Sequence, residues 1–514
     1  MKTATKSCTA TQLVKDALEK VEEYRDYNIF TQVFPEEALK KAEEIDRKIK
    51  KGEPAGRLAG VPYALKDNFL SPLGSTTASS KILEPFKSPI TATSVERLEA
   101  EGAICIGRTN LDAFAHGSST ENSYFGPTKN SADPERVAGG SSGGSAVAVA
   151  LDIVQFATGT DTGGSIRQPA SLNGVYGFKP TYGTISRYGV VAMASSTDCI
   201  GFFAKSPADM DLLMQVCAGQ DSKDMTTLPD YYPKKAKMNN NTRHKVGIIK
   251  DFDNDSIDPA IRQALHKAIG ELKKKGHEIV ELEMPTLKYA LAVYYIVVPA
   301  EISSNLSRYD GIRYGFRAGV EYDPIVTPAE EKTNAGAQDA NIKAWSTDAG
   351  VRGSSEARDN VRPKGLADVY DFSRNLGFMS ENKRRIMIGN FVLSSGFYDA
   401  YYLKAQKVRR LIIDEYMEAF RKCDFILTPV SPSPAFRLGE KINDPVAMYL
   451  EDVLTVPLNL AGVPGLAIPV GTTADFASES RKDDKMPLPV GLQLIGARRS
   501  DAELLKFAEE IILA

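Results

Sequence analysis

Two turns rich in glycine and serine, separated by an apolar run, form the part of the chain whose composition best suits nucleophilic chemistry. The first turn reads Gly-Gly-Ser-Ser-Gly-Gly-Ser over residues 139–145, and the second reads Gly-Thr-Asp-Thr-Gly-Gly-Ser over residues 159–165. Glycine lacks the Cβ that keeps a backbone away from a ligand, so N–H groups in such turns can face a developing negative charge as an oxyanion hole. Serine becomes a nucleophile when a neighbouring base accepts its proton. The sequence therefore predicts an active site at these turns.

Two other interpretations of a glycine- and serine-rich stretch fit this one less well. A flexible linker would not be joined directly to the apolar run at residues 146–157. A phosphate-binding loop of the Walker type needs lysine and then serine or threonine after its last glycine. Here Gly144 is followed by Ser145 and Ala146 instead, so catalysis is the favoured interpretation.

A serine nucleophile needs a base, and the sequence offers a histidine and a lysine. Of the four histidines, His116 lies nearest to the glycine turns, but one histidine without an orienting partner is weak evidence for a Ser-His-Asp triad. Lys66 ends an apolar, strand-like run at residues 61–65, and burial favours the neutral form of an amine. A lysine after a strand is also consistent with plain surface charge, so the pattern alone leaves both roles open.

The periodicity of apolar residues predicts the elements around these candidates. Two helices are expected within residues 11–52, and strands alternate with helices from about residue 58 onward. Residue 452 is expected on a helix. The other predicted elements are strands at 61–65, 103–107, 245–249, 278–282, 455–470 and 487–496 and helices at 93–101, 258–275 and 501–513.

Three motifs in a fixed order carry a family resemblance. Gly-Val-Pro-x-x-x-Lys-Asp-Asn ends at Asn68, and it precedes the two glycine turns, the second of which continues as Ser-Ile-Arg-Gln-Pro-Ala. Together they resemble the amidase signature family, over residues 14–496. The resemblance implies an α/β fold with a mixed β-sheet core covered by α-helices on both faces, in a single domain spanning residues 1–514. Within it we expect a helical N-terminal region (about 11–52), a peripheral βα unit (about 238–290) and a polar insertion (about 318–380).

The resemblance also implies catalytic roles. Ser165 matches the nucleophile that forms the acyl-enzyme, Ser141 matches the serine that bridges to the base, and Lys66 matches the base itself. In the family the peptide bond before the bridging serine is cis, which here is the bond between Gly140 and Ser141. The oxyanion hole would be formed by the N–H groups around the nucleophile, those of Thr162, Gly163, Gly164 and Ser165.

Within the family, the segment at residues 294–315 resembles the amidase subunits, known as the A subunits, of bacterial aspartyl/glutamyl-tRNA amidotransferases. This implies that Tyr294, Arg385 and Asp452 bind glutamine. A guanidinium suits an α-carboxylate, and a carboxylate suits an α-ammonium group. At position 116 the family's usual methionine is replaced by His116, which puts a titratable group in the loop that walls the substrate pocket.

The resemblance implies a glutaminase that releases ammonia for the amidation of Glu-tRNA(Gln), Asp-tRNA(Asn) or both. The expected partners are the B and C subunits of the amidotransferase in a heterotrimer, with mischarged tRNA held mainly by the B subunit. No cofactor and no metal are expected in this chain, and ATP and Mg are expected to be used by the partner subunit. The alternatives are a freestanding amidase acting on another small amide and a catalytically silent scaffold.

Composition agrees with an enzyme of this kind. A chain of 514 residues with 42% hydrophobic content can bury a large core. A net charge of −3 offers no basic footprint for nucleic acid. Five cysteines without a Cys-x-x-Cys pair argue against a disulfide framework or a zinc knuckle. This use of cysteine fits a reducing cytoplasm, where we expect the protein to be. No membrane helix is expected, because no apolar run reaches the length of about 18 residues that one needs.

Overall fold

A mixed β-sheet forms the centre of the protein. The computed structural model describes residues 1–233, 243–320, 322, 325, 327–329, 363–476 and 486–511. In these residues eleven strands lie in the spatial order β1-β3-β2-β4-β6-β5-β10-β11-β9-β7-β8. The strands are β1 Phe30–Val33, β2 Pro62–Lys66, β3 Ile104–Thr109, β4 Phe156–Asp161, β5 Tyr176–Lys179, β6 Cys199–Ala204, β7 Lys245–Ile249, β8 Glu278–Leu282, β9 Phe425–Pro429, β10 Gly465–Thr472 and β11 Pro489–Gly496.

Helices cover both faces of this sheet, as expected for the α/β class. On strand β3, Ile104 and Ile106 pack into the apolar cluster under one set of helices, whereas Cys105 packs into the cluster under another. This alternation follows from the period of two along a strand, and both faces are apolar because both are covered. None of the helices in the described ranges is long and apolar enough to cross a lipid bilayer.

The α-helices in the described part of the chain are α1 Ala10–Glu23, α2 Pro35–Lys51, α3 Thr93–Ala100, α4 Gly143–Ala150, α5 Arg167–Asn173, α6 Pro207–Cys217, α7 Pro259–Lys274, α8 Ala290–Asn305, α9 Leu366–Gly377, α10 Ser380–Leu393, α11 Lys404–Lys422, α12 Pro445–Leu450, α13 Val456–Ala461 and α14 Asp501–Glu510. Helices α1, α2 and α4 pack over one face of the sheet, and α3, α6 and α14 pack over the other.

Most predicted elements are present, but two expectations are wrong and strand β1 was not predicted. Strand β1, unpredicted, lies between α1 and α2 and pairs antiparallel with β3. The stretch 455–470 is not continuous strand, because residues 456–461 form α13 before β10 begins. Asp452 lies in the turns between α12 and α13 rather than on a helix. Most of the proposed insertion at 318–380 lies outside the described residues, but its C-terminal part forms α9, in which Ser373 is buried.

Candidate active site

Two parallel neighbouring strands bring the predicted base and the glycine turns together. Strands β2 and β4 pair in parallel through Tyr63 with Phe156 and Ala64 with Ala157. The carboxyl ends of parallel neighbours lie at the same edge of a sheet. Lys66 is the last residue of β2, and β4 ends at Asp161, inside the second glycine-rich motif and four residues before Ser165. The order of strands therefore explains why residues far apart in sequence meet.

Lys66 is enclosed by hydroxyl groups. Its side chain is 0% exposed, and its Nζ donates to Ser141 Oγ at 2.9 Å, Ser142 Oγ at 2.7 Å and Thr160 Oγ1 at 2.8 Å. Burial lowers the pKa of Lys66 to about 7, although nearby carboxylates, of which Asp112 is the strongest, act in the opposite direction. A substantial fraction of this amine is therefore neutral at pH 7, which a proton acceptor requires.

The first glycine turn is held against Asp112. The Gly140–Ser141 peptide bond is cis, as the family resemblance implied. A Cβ on Gly140 would lie 2.1 Å from Asp112 Oδ2, so glycine is required at this point. The same carboxylate accepts hydrogen bonds from the N–H groups of Thr120 (2.9 Å) and Asn122 (3.1 Å). The carboxylate of Asp112 thus holds the loop that follows it, and the N–H of Asp112 donates to the carbonyl oxygen of Ser141 at 3.2 Å, which links this loop to the turn that carries Ser141.

Ser165 lies beside this turn and keeps 9% of its surface exposed, whereas Lys66 and Ser141 are fully enclosed. The two segments meet through their backbones, because the N–H of Ser142 donates to the carbonyl oxygen of Ser165 at 3.3 Å. In the described part of the chain no hydrogen bond joins the hydroxyls of Ser141 and Ser165. The structure therefore brings the base and the bridging serine into contact and leaves the Ser165 hydroxyl beside them without such a bond.

A buried ion pair supports the second glycine turn. Arg167 donates to both carboxylate oxygens of Asp161 at 3.0 Å, and both side chains are 0% exposed. Burial alone would raise the pKa of Asp161, but Arg167 holds it at about 2. Asp161 also accepts the N–H of Gly164 at 2.9 Å. This removes Gly164 from the predicted oxyanion donors, because its amide proton is already bound.

The three predicted glutamine-binding residues converge near the same turn. A Cβ on Gly163 would lie 2.6 Å from the Tyr294 hydroxyl, which places that hydroxyl against the turn. The charges of Arg385 and Asp452 both act on the pKa of Tyr294, which burial raises. Helix α8 carries Tyr294, helix α10 carries Arg385, and the turn after α12 carries Asp452.

Arg385 is braced by its own helix and by two aromatic rings. Its Nε donates to Glu381 Oε1 at 2.8 Å, and its guanidinium lies 5.3 Å from the ring centroid of Tyr295 and 5.7 Å from that of Tyr449. Tyr449 also donates to Glu381 at 2.9 Å. Within the described residues the two terminal nitrogens of Arg385 have no protein acceptor, so they are available to an anion.

Asp452 is the negatively charged member of the predicted glutamine-binding residues, as Arg385 is the positively charged one. Its two carboxylate oxygens accept the hydroxyl of Ser118 at 2.8 Å each, and Tyr295 donates to it at 3.3 Å. Burial raises the pKa of Asp452 to about 7. An incoming cation would favour the ionised carboxylate, so the site is suited to a ligand that carries both charges.

Several polar residues of the site were not singled out from the sequence. Ser142 and Thr160 complete the hydroxyl cage around Lys66, and Ser118 and Tyr295 hold Asp452. The position of Thr160 could have been found, because it stands one residue before the end of β4, beside the strand that Lys66 ends. No sequence signal joins Ser118 to Asp452, because the two lie 334 positions apart.

Comparison with known proteins identifies the family to which the sequence is similar. The profile of the family described as Amidase matches residues 12–505. The A subunit of glutamyl-tRNA(Gln) amidotransferase from Carboxydothermus hydrogenoformans is 44% identical over 98% of this chain and 93% of its own length. Its counterpart in Chlorobium phaeobacteroides is 42% identical over 97% and 94%.

The fold is shared with solved structures of the same group. The crystal structure of the A subunit of glutamyl-tRNA(Gln) amidotransferase from Thermotoga maritima superposes with a TM-score of 0.67 at 35% identity, covering 97% of this chain and 93% of that one. The length of the match, the sequence identity and the shared architecture together show that the chain belongs to the amidase family.

Proposed function

We propose that this chain is the glutaminase subunit of a tRNA-dependent amidotransferase, an amidase that works through Lys66, a cis-bonded Ser141 and Ser165. The contact between the Lys66 amine and the Ser141 hydroxyl in a fully enclosed site carries the proposal. An amine with a pKa near 7 can accept a proton at neutral pH, whereas a solvated lysine, with a pKa of about 10.4, cannot.

In the acylation step, Ser165 Oγ attacks the side-chain amide carbon of glutamine. Its proton passes to Ser141 Oγ while the proton of Ser141 passes to Lys66 Nζ. A rotation of the Ser165 side chain toward Ser141 closes this relay, and catalytic hydrogen bonds are commonly longer in a free enzyme than in its substrate complex. The oxyanion is held by the N–H groups of Thr162, Gly163 and Ser165, and each such donor contributes about 3–4 kcal/mol to the barrier reduction.

Collapse of the tetrahedral intermediate then breaks the carbon–nitrogen bond. The proton held on Lys66 returns through Ser141 to the leaving nitrogen, which departs as ammonia and leaves a γ-glutamyl ester on Ser165. Water attacks this ester with the same relay as base, and the products are glutamate and the free serine. The Asp161–Arg167 pair takes no proton in these steps but holds the turn that carries the nucleophile.

Glutamine is recognised by its two charges. The terminal nitrogens of Arg385 face the α-carboxylate, Asp452 faces the α-ammonium group, and Tyr294 lies between this pair and the glycine turn. Arg385 and Asp452 together form what we call the clamp. The distance between its two charged groups and Ser165 then selects the length of the substrate's side chain. A small amide without these charges would leave the terminal nitrogens of Arg385 without an anionic partner and Asp452 without a cationic one, which disfavours the freestanding amidase.

The ammonia serves a partner subunit. The B subunit of the heterotrimer uses ATP and Mg to activate glutamate or aspartate on mischarged tRNA in the cytoplasm, and the C subunit completes the assembly. The net charge of −3 on this chain agrees with tRNA being held elsewhere.

The test replaces the nucleophile in the assembled complex. We expect Ser165→Ala to abolish amidation of Glu-tRNA(Gln) or Asp-tRNA(Asn) from glutamine and to leave amidation from added ammonium close to wild type. Glutamine labelled with 15N in its side-chain amide should deliver the label to the tRNA-bound amino acid in the wild type. Normal glutamine-dependent transfer by Ser165→Ala would contradict the proposal, and so would rapid hydrolysis of unrelated small amides by the isolated chain.

A further inference from the structure

His116 carries a hydrogen-bond donor that the mechanism above does not use. Its side chain is buried, and its Nδ1 lies 2.7 Å from Asn382 Nδ2. The orientation of that amide is set on both sides, because Asn382 Oδ1 accepts the N–H of Met379 at 3.2 Å and Nδ2 also donates to the carbonyl oxygen of Ala113 at 2.8 Å. Since the amide nitrogen donates, the ring Nδ1 must accept, and the proton of the neutral ring lies on Nε2.

This Nε2–H has no hydrogen-bond partner in the part of the chain that the structure describes. Burial, with a smaller contribution from the charge of Arg385, lowers the pKa of His116 well below its usual range, so the ring is neutral at pH 7. Among the described residues, Nε2 is enclosed and makes no hydrogen bond. A buried donor that stays unsatisfied costs free energy, and an acceptor supplied by a ligand removes that cost.

The position of the His116 ring indicates which chemical group of a ligand accepts this hydrogen bond. Ala115, the preceding residue, lines a cleft of about 270 Å³ together with Thr160 and Thr162 of the catalytic side. Ser118, two residues further on, holds Asp452. The partner of the ring, Asn382, lies one turn before Arg385 on α10. His116 therefore follows a residue that lines this cleft, lies two residues before the one that holds Asp452, and contacts the helix that carries Arg385, whose charge acts on its ring.

We propose that the Nε2–H of His116 donates a hydrogen bond to the α-carboxylate of the amino-acid substrate, beside Arg385, and so sets the preference for glutamine over amides that lack this group. The inference rests on the proposed function, which it deepens. The positive field of Arg385 favours an anionic acceptor at this point, and the carboxylate of the clamp, Asp452, takes the ammonium group at the other end. A neutral imidazole adds a donor without adding a second positive charge next to Arg385.

The experiment compares glutamine with 4-aminobutanamide, which keeps the amide and the amine and lacks only the α-carboxylate. His116→Phe keeps a ring of similar shape and removes the donor, and His116→Gln keeps one acceptor and one donor. In the assembled complex, we expect His116→Phe to raise the KM for glutamine about 10- to 100-fold, the range for a lost hydrogen bond to a charged group. Its kcat should change little, and kcat/KM for 4-aminobutanamide should match the wild type. His116→Gln should recover most of the affinity.

An unchanged KM for glutamine in His116→Phe would overturn the inference, and so would equal losses on both substrates, which indicate a purely structural role. Direct binding of glutamine to Ser165→Ala and to Ser165→Ala/His116→Phe separates this inference from the proposed function. Binding that weakens with the second substitution supports a carboxylate contact even if the wild type does not hydrolyse glutamine. Absence of glutamine binding to Ser165→Ala would overturn both.

Discussion

The catalytic centre and the substrate clamp are assembled in different ways. Lys66, Ser141 and Thr160 stand at or beside the ends of two parallel strands and the turns that follow them, so the sheet itself fixes their spacing. Arg385 and Asp452 come from a helix and a turn far along the chain, and side chains rather than strand pairing hold them. The proposed chemistry is thus tied to the strand ends of the sheet, whereas the proposed recognition depends on side-chain contacts between a helix and a turn.

The two regions also differ in how they control charge. Burial reduces the charge of Lys66 by lowering its pKa to about 7, which creates a base. Burial likewise raises the pKa of Asp452 to about 7 in the free protein, but there a cationic ligand restores the charged form. Under the proposed mechanism, desolvation makes Lys66 a base in the catalytic centre, and it makes binding at Asp452 depend on a cationic ligand.

The largest effect should come from the base. We expect Lys66→Met to lower kcat for glutamine hydrolysis by about 10⁴-fold, because members of a proton relay act as a unit, while glutamine binding is kept. Steady-state glutaminase assays of the assembled complex measure this. Lys179→Met is the matched control, because Lys179 is another fully buried lysine at a strand end, with Nζ donating to the carbonyl oxygen of Pro180. Activity of Lys66→Met within tenfold of wild type would place the base elsewhere.

The support under the nucleophile should matter for stability. Arg167→Met leaves the carboxylate of Asp161 buried without its partner, and breaking such a pair costs about 3–5 kcal/mol. Denaturant unfolding, followed by a probe of the core, measures the change in the free energy of unfolding. The comparison variant is Arg437→Met, whose partner Glu135 is 64% exposed and whose loss should cost below about 1 kcal/mol. Equal destabilisation by both variants would contradict the structural role of the buried pair.

The clamp should respond in KM rather than kcat. Ser118→Ala removes the hydroxyl that both oxygens of Asp452 accept, so ionised Asp452 is less stabilised and the KM for glutamine should rise about tenfold. Ser119→Ala is the neighbouring control, because its hydroxyl accepts the N–H of Glu121 and does not contact Asp452. An unchanged KM for glutamine in Ser118→Ala, or a fall in kcat alone, would contradict the assignment of substrate binding to the clamp and of catalysis to the other region.

The same division explains how much could be predicted from the sequence. Lys66 and Ser141 were predicted together because the motifs that contain them resemble those of the amidase signature family, and the contact between them is present. Thr160 and Ser118 were missed, because a hydroxyl is recognised as part of a site only when its partner is known. Gly164 was assigned to the oxyanion hole because glycine types indicate an open backbone, but they do not show that Asp161 already binds its N–H.

The errors in the fold have local causes. Strand β1 has only four residues and pairs with β3, so it is too short to show a period of its own. The helix α13 lies in an apolar stretch that was expected to be strand, and short apolar runs do not distinguish a buried helix from a buried strand. In both cases tertiary contacts decide the conformation, and these contacts cannot be deduced from a single sequence.

The most direct measurement is the pH dependence of acylation at Ser165. A covalent serine-directed probe should label Ser165 at a rate that rises with deprotonation of a group of pKa about 7, because neutral Lys66 must accept the proton. Below that pH the rate should fall about tenfold for each pH unit, and Ser141→Ala should abolish the labelling. Labelling that follows a pKa of about 10.4, the value of a solvated lysine, or that persists in Ser141→Ala, would contradict a proton relay from Ser165 through Ser141 to Lys66.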